Sequence, residues 1–130
     1  MIRVPINSDN DIVAARQKGR TLARSLGFSE TDSTLIATAI SELARNIVTY
    51  AKKGEVRIRA EKGPSRRGIL VVAKDKGTGI SNIKLALQDG FSTSGSLGLG
   101  LPGVKRLVDE FEITSGDGRG TVVTIRKWKV

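Results

Sequence analysis

Residues 35–51 read Leu-Ile-Ala-Thr-Ala-Ile-Ser-Glu-Leu-Ala-Arg-Asn-Ile-Val-Thr-Tyr-Ala and carry the clearest periodicity in the chain. Apolar residues recur there at spacings of three and four, which predicts a helix with one buried side; they are Leu35, Ile36, Ala39, Ile40, Leu43, Ala44 and Ile47. Glu42 and Asn46 are four apart and therefore lie one above the other at the edge of that side. A carboxylate there can accept a proton, and an amide oxygen can ligate Mg²⁺. The same pair also fits an ordinary polar helix surface.

The composition limits the kinds of chemistry. At 130 residues we expect one domain spanning 1–130, long enough for a real core. The chain has no cysteine and no histidine, which excludes disulfides, thiolate catalysis, histidine bases and a phosphohistidine relay. No apolar run approaches the roughly 18 residues of a membrane span, and no signal peptide is visible, so we expect a cytoplasmic protein. The net charge of +9 would attract phosphates, nucleic acid or an acidic protein.

The order of the predicted elements indicates the fold class. An edge strand containing Pro5 is predicted over 2–6, followed by helices over about 11–26 and 30–51. We expect Lys52-Lys53-Gly54 to stop the second helix, with the glycine as its C-cap. Strands follow at 56–61 and 69–73, then a short helical segment at 83–87, a helix from 98–103 to about 110, and a hairpin of 111–114 with 121–128. Because helices and strands come in groups, we predict an α+β, two-layer α/β sandwich. Its sheet is mixed and mostly antiparallel, with helices on one face.

Asp75-x-Gly77-x-Gly79 leaves the buried strand 69–73. An aspartate at that place can accept a hydrogen bond from the exocyclic amine of a base, and the glycines let the backbone approach a flat ring. The alternative is a simple Asp-x-Gly turn. Gly118-Arg119-Gly120-Thr121, before the last strand, has the plainer alternative of a hairpin turn.

Gly98-x-Gly100-x-x-Gly103 matches the spacing of the dinucleotide fingerprint, but the expected preceding strand is missing and a polar loop stands in its place. It also lacks the lysine and hydroxyl residue of a P-loop. What remains is a glycine-rich helix N-terminus, where exposed N–H groups and the helix dipole can hold phosphate. Tight helix packing is the alternative.

A basic stripe is predicted on the first helix, where Arg16, Arg20 and Arg24 recur at every fourth position. Its regular spacing and the excess of positive charge favour docking of an acidic partner surface. The alternative is a solvated helix face.

Glu42-x-x-x-Asn46 and the three glycine motifs occur in one order that resembles the N, G1, G2 and G3 boxes of the GHKL ATPase superfamily, which includes gyrase, Hsp90, histidine kinases and MutL. The resemblance spans residues from about 30 to 127. Within that superfamily the short length and the run Ser41–Asn46 resemble the bacterial anti-sigma-factor-type serine kinases. Residues 11–17, 89–94 and 100–107 look like the RsbT-type switch kinases of the stressosome.

The resemblance implies a role for each motif. Glu42 would be the catalytic base and Asn46 the Mg²⁺ ligand, while Asp75 would bind the adenine amine with support from Thr121. Gly77 and Gly79 would line the base. Residues 89–97 would form the ATP lid. The phosphates would be held by Gly98, Gly100 and Gly103, with Lys105 and Arg106 as candidate cations. The lid carries no arginine, which leaves open what stabilises charge on the transferring phosphoryl group.

The function implied is a partner-switching protein serine/threonine kinase that uses ATP and Mg²⁺. Its substrates would be STAS-domain antagonist and scaffold proteins in a stress-response pathway, after which it would activate a PP2C-type phosphatase. One alternative is an anti-sigma kinase that also sequesters a sigma subunit. Another is a nucleotide-gated binding module with little turnover. A basic nucleic-acid-binding domain is a further alternative, although the chain shows no aromatic stacking platform.

Overall fold

Five strands form one antiparallel sheet in the part of the chain that the computed structural model describes, residues 1–77, 100–116 and 120–129. The strands are β1 (Ile2–Ile6), β2 (Gly54–Lys62), β3 (Arg67–Asp75), β4 (Glu110–Gly116) and β5 (Gly120–Trp128). Their order across the sheet is β1-β2-β3-β5-β4, and each neighbouring pair is antiparallel. The predicted α+β sandwich is therefore confirmed, and β1 lies at the predicted edge.

Three α-helices and one π-helical turn accompany the sheet within the described ranges. They are α1 (Asp9–Ser25), α2 (Glu30–Asn46), the π turn (Ile47–Ala51) and α3 (Gly100–Leu107). At the start of α1 the Asp11 carboxylate accepts hydrogen bonds from the backbone N–H groups of Asn7 and Ser8, at 2.8 and 3.1 Å. At the start of α2 the Ser29 hydroxyl accepts one from the Asp32 N–H at 3.0 Å. These caps satisfy N–H groups that a helix cannot pair internally.

The core lies between the helices and one face of the sheet. On β2 the fully buried Val56 and Ile58 alternate with Arg57 and Arg59, as the predicted strand with one wet face requires. On α2 the apolar stripe is buried as predicted, with Leu35 only half-buried. The opposite face of the sheet carries ion pairs instead, among them Arg57–Glu55 at 2.7 Å and Arg126–Glu61 at 3.2 Å.

The end of α2 differs from the prediction. We expected a helix to Ala51 with Gly54 as its C-cap, but the helix widens into the π turn after Asn46. The left-handed residue that ends it is Lys52, with φ of 74°. Gly54 is instead the first residue of β2, where a Cβ would stand 2.4 Å from the carbonyl oxygen of Lys74. A glycine is required there by the close approach of β3, not by helix termination.

The last helix is also shorter than predicted. α3 ends at Leu107 rather than near Glu110, which already belongs to β4. The chain is drawn into the sheet because the Asp109 N–H donates to the Arg126 carbonyl at 3.0 Å and the Asp109 carboxylate accepts from the Trp128 N–H at 2.7 Å. The predicted helical segment 83–87 lies outside the described residues. Among the described residues, no helix has the length and apolar character needed to cross a membrane.

Candidate functional site

Asp75 ends β3 and lies between two other strands of the sheet, opposite Gly54 of β2 and Thr121 of β5. Its Oδ1 atom accepts hydrogen bonds from the backbone N–H groups of Gly77, at 2.9 Å, and Thr121, at 3.3 Å. The Gly77 contact is the Asp-x-Gly turn considered above. Its other oxygen, Oδ2, accepts no hydrogen bond from the described residues. The carboxylate is thus oriented by the backbone through one oxygen and has the second available for a ligand donor.

A hydroxyl pair adjoins Asp75. The Ser115 hydroxyl lies 3.0 Å from the carbonyl oxygen of Gly120, to which it donates, and 2.8 Å from the Thr121 hydroxyl. Either hydroxyl can be the donor in the second contact. The Thr121 hydroxyl is therefore held beside Asp75 and keeps lone pairs for a ligand or for water.

Two glycines allow the close backbone contacts of this region. Gly120 has φ of 76°, and a Cβ on it would stand 2.3 Å from the Asp75 carbonyl oxygen. A Cβ on Gly77 would stand 2.7 Å from the Cβ of Ala51, the last residue of the π turn. The segment that follows α2 therefore packs directly on the turn that follows β3.

Glu42 is one of the few buried polar residues of the described chain, with 6% of its surface exposed. Its described charged contact is with Arg45, whose Nε lies 3.9 Å from Oε1. This separation exceeds hydrogen-bond distance, and no described residue donates a hydrogen bond to the carboxylate. Among the described residues, the buried side-chain polar atom without a hydrogen-bond partner is Ser33 Oγ, so the Glu42 oxygens keep an edge open to solvent. A largely buried carboxylate with open acceptor positions is suited to accepting a proton at a functional site.

Asn46 lies one turn after Glu42, at the junction of α2 and the π turn. It is half-buried, and its amide makes no hydrogen bond to a described residue. The next residue, Ile47, packs against Gly54 of β2. A Cβ built on Gly54 would stand 3.0 Å from the Ile47 Cγ2 atom and 3.1 Å from the Asp75 Cα atom. The packing therefore brings the Glu42–Asn46 end of α2 onto the Asp75 end of the sheet.

Of the other residues predicted to bind the nucleotide, some lie within the described ranges and others do not. Gly100 opens α3 with φ of 38°, Gly103 is buried inside that helix, and Lys105 is exposed on it. Because α3 packs against α2, the burial of Gly103 also fits the alternative of tight helix packing. Gly79, Gly98, Gly118, Arg119 and the expected lid 89–97 lie outside the described residues.

The basic stripe is partly neutralised. Arg20 and Arg24 both contact Glu30, the first residue of α2, and the Arg20 contact measures 2.8 Å. These arginines, Arg24 foremost, hold the pKa of the Glu30 carboxyl at about 2, well below its usual range. Arg16 lies exposed on the same helix. Partner docking by this stripe stays a prediction.

Sequence reasoning missed three residues of this region. The sequence pattern predicts Ser115 in the connecting loop, but β4 extends through it and sets its hydroxyl against Thr121. The same pattern predicts Gly54 as a helix C-cap and Ala51 as the last residue of the second helix. The alternating pattern of residues 110–116 could have indicated Ser115, whereas the contacts of Gly54 and Ala51 depend on strand pairing that local pattern does not encode.

The sequence as a whole is similar to known ATPases and kinases. Residues 31–130 match the family model described as histidine kinase-, DNA gyrase B-, and HSP90-like ATPase. The serine/threonine-protein kinase RsbT of Bacillus subtilis is 52% identical over 125 residues, which cover 96% of this chain and 94% of that protein. An anti-sigma F factor of Clostridium beijerinckii is 32% identical over 99 residues, covering 71% of this chain and 68% of that protein.

Two solved structures share the fold. The mycobacterial sensor histidine kinase MprB superposes with a TM-score of 0.59 at 18% identity, covering 98% of both chains. A histidine kinase domain from the Erythrobacter litoralis blue-light-activated kinase EL346 superposes with a TM-score of 0.53 at 20% identity, covering 92% of this chain and 59% of that one. At these identities the likeness concerns the fold alone.

Proposed function

The chain belongs to the family of histidine kinase-, DNA gyrase B- and HSP90-like ATPases, and from this premise we propose how its site works. It is an ATP-dependent protein serine/threonine kinase of the RsbT type, since it shares 52% identity with that kinase over 96% of its length. We propose that it acts by partner switching, binding one protein before phosphoryl transfer and another afterwards. The observation that carries the proposal is the largely buried Glu42 carboxylate, to which no described residue donates a hydrogen bond. It lies one helical turn before Asn46, and this end of α2 packs on the end of the sheet that contains Asp75.

ATP would bind with its adenine at Asp75. The free Oδ2 atom can accept the exocyclic amine, while the Thr121 lone pairs can accept from water or from the ligand. Gly77, packed on Ala51, gives the ring a close backbone neighbour. Gly79 would extend that wall, and Gly98, Gly100, Gly103 and Lys105 would hold the phosphates beside the start of α3.

Magnesium fits the side chains that are present. Mg²⁺ prefers oxygen ligands and keeps several waters, so it needs few protein ligands when phosphates supply the others. The free amide oxygen of Asn46 is one suitable donor. The described residues hold no group of three or more acidic, histidine or cysteine side chains that could form an all-protein cage. Bound there, the metal would neutralise charge on the phosphates.

Glu42 would act as the general base. Its carboxylate accepts the proton of a partner's serine or threonine hydroxyl as that oxygen attacks the γ-phosphorus and the bond to the β-phosphate oxygen breaks. ADP leaves, and the partner carries a phosphate ester. The small exposed fraction of Glu42, 6%, would limit water at the carboxylate, so hydrolysis would compete less with transfer to the partner.

The proposed substrates are STAS-domain antagonist and scaffold proteins of a cytoplasmic stressosome, and the second partner is a PP2C-type phosphatase of the stress response. Arg16, with Arg20 and Arg24, would give an acidic partner surface its first electrostatic contact. The similarity to anti-sigma F factors at 32% identity favours a second candidate, a kinase that also sequesters a sigma subunit.

Phosphoryl transfer to a purified STAS-domain protein tests the proposal. With ATP and Mg²⁺ we expect an acid-stable phosphate on a serine or threonine of that protein, loss of its complex with this chain, and activation of an added PP2C-type phosphatase. A sigma subunit added in parallel should bind only if the second candidate is correct. ATP binding without any transfer would contradict the kinase and indicate a nucleotide-gated binding module. Tight DNA binding that weakens steeply with salt would favour the nucleic-acid alternative.

A further inference from the structure

Arg45 is placed unlike the other arginines that form ion pairs within the described residues. Arg20, Arg24, Arg57, Arg59 and Arg126 contact glutamates that are at least one fifth exposed, whereas the Glu42 side chain is only 8% exposed. The distance from Arg45 Nε to Glu42 Oε1, 3.9 Å, is also the longest of these contacts. The Arg45 side chain itself is 46% exposed. One end of this pair is therefore in the core and the other in solvent.

Two ordinary explanations do not account for Arg45. A cation in the last turn of a helix can stabilise the helix dipole. Arg45 does lie in the last turn of α2, but the helical backbone continues past Asn46 into the π turn, so its free carbonyl end lies beyond Arg45. Arg45 could also serve a neighbouring acid on its own helix, but positions 41, 48 and 49 are Ser, Val and Thr. Glu42 is thus the acidic partner that the helix provides.

The distance between the Arg45 guanidinium and the Glu42 carboxylate determines how Arg45 can affect that carboxylate. An arginine that donated two hydrogen bonds to Glu42 would occupy the carboxylate lone pairs and block proton acceptance. At 3.9 Å the guanidinium attracts the carboxylate and so orients it, while both oxygens stay able to accept a hydroxyl proton.

We propose that Arg45 is a positioning residue for phosphoryl transfer, aiming the Glu42 carboxylate at the acceptor hydroxyl without hydrogen-bonding it. This inference rests on the proposed role of Glu42 as general base. It also supplies a cation of α2 at a site whose expected lid contains no arginine. Arg45 acts on the base, and ATP affinity does not depend on it.

A double-mutant cycle tests this role. The variants are Arg45→Gln, Arg45→Lys, Glu42→Gln and Glu42→Gln/Arg45→Gln, with Arg57→Gln as the matched control for loss of an arginine paired to a more exposed glutamate. Single-turnover transfer to a STAS-domain protein and ATP affinity are measured for each. We expect Arg45→Gln to slow transfer about tenfold to a hundredfold with ATP affinity unchanged, and Arg45→Lys to recover most of the rate. In the Glu42→Gln background, Arg45→Gln should cost nothing further.

Each outcome separates the inference from the proposed function. If Glu42→Gln abolishes transfer while Arg45→Gln transfers at the wild-type rate, Arg45 is a solvated side chain and the inference is wrong, although the base stands. Losses that multiply in the double variant, or an ATP affinity lowered by Arg45→Gln, would show that Arg45 acts independently of Glu42 and would equally overturn it. A wild-type rate in Glu42→Gln would instead refute the proposed base. ATP binding by each variant confirms that it is folded.

Discussion

At the level of single residues, the Asp75 carboxylate of the proposed adenine site is oriented by the backbone before any ligand is bound. Both backbone N–H groups that reach its carboxylate converge on Oδ1, so the plane of the group is set by Gly77 and Thr121. The position of the second oxygen, Oδ2, is therefore fixed as well, and it can accept a hydrogen bond from a ligand there. Such pre-organisation lowers the ordering cost of binding.

Asp75→Asn should therefore weaken ATP binding strongly. The two N–H groups will hold the amide oxygen at the Oδ1 position, which turns the NH₂ group toward the adenine amine and leaves two donors facing each other. A buried mismatch of this kind costs roughly 1–3 kcal/mol, which is about a tenfold to hundredfold loss of affinity. Isothermal titration of ATP measures it, and unchanged thermal stability of the free protein is the control. An affinity equal to that of wild type would place the adenine elsewhere.

At the scale of elements, the π turn that follows α2 packs against β3 and the turn after it. The apolar period of residues 35–47 predicted α2 well because helix burial depends on local spacing. The π turn was not predictable, since Val48, Thr49 and Tyr50 would continue an α-helix equally well. The π turn leads into β2, whose first residue pairs with Asp75, and that register depends on residues far along the chain.

Lys52→Gly tests whether this turn stores backbone strain. Lys52 has φ of 74° and ψ of −36°, a region that L-residues rarely occupy and that costs on the order of 1–3 kcal/mol. Glycine removes that cost but adds freedom to the unfolded chain, so we expect a net gain of about 1 kcal/mol in the free energy of unfolding. Urea denaturation measures it. Lys53→Gly is the control, because Lys53 does not have a positive φ, and this variant should lower the free energy of unfolding slightly. If Lys52→Gly lowers the free energy of unfolding by a similar amount, Lys52 is not strained.

The contact of Glu30 with Arg20 and Arg24 joins α1 to the start of α2 and should make stability depend on pH. The pKa of Glu30 is about 2 in the fold, below its value of 4.5 in the unfolded chain, so the contribution is full above pH 4.5 and is lost as the pH falls toward 2. Glu30→Gln should be less stable than wild type at pH 6, with the difference vanishing at the acid end. Because the pair is exposed, 1 M salt should shrink the difference too. A constant difference across this range would show that Glu30 acts by packing.

For the whole molecule, the sequence predicted more of the fold than of the site. Local alternation and helical spacing are encoded residue by residue, so the two-layer arrangement followed from them. The contact of Asp75 with Thr121 joins residues 46 positions apart, and no local pattern specifies it. The resemblance to a family predicted that Asp75 and Thr121 act together. The contact of the Ser115 hydroxyl with Thr121 was not predicted, because it depends on the pairing of β4 with β5.

If the chain is one domain, it should unfold as one unit. Trp128, the single tryptophan, lies opposite Gly68, at the end of the sheet far from Asp75. We expect its fluorescence and the far-ultraviolet circular dichroism to report the same melting curve. Both curves should shift to higher temperature together with Mg-ATP, because binding adds about 2.7 kcal/mol to the free energy of unfolding at a hundred times the dissociation constant. Two separate transitions, or a shift in only one signal, would contradict the single domain.

The central claim is that Glu42 performs chemistry at a site whose nucleotide is held by other residues. The most direct measurement compares ATP affinity with single-turnover transfer of the γ-phosphate to a STAS-domain protein in Glu42→Gln. The amide keeps the shape of the buried side chain but is a far weaker proton acceptor. We predict nearly normal ATP affinity and a transfer rate lowered roughly 10²–10⁴-fold. A Glu42→Gln protein that binds ATP and transfers phosphate at the wild-type rate would contradict the account, because α2 would then be scaffold only.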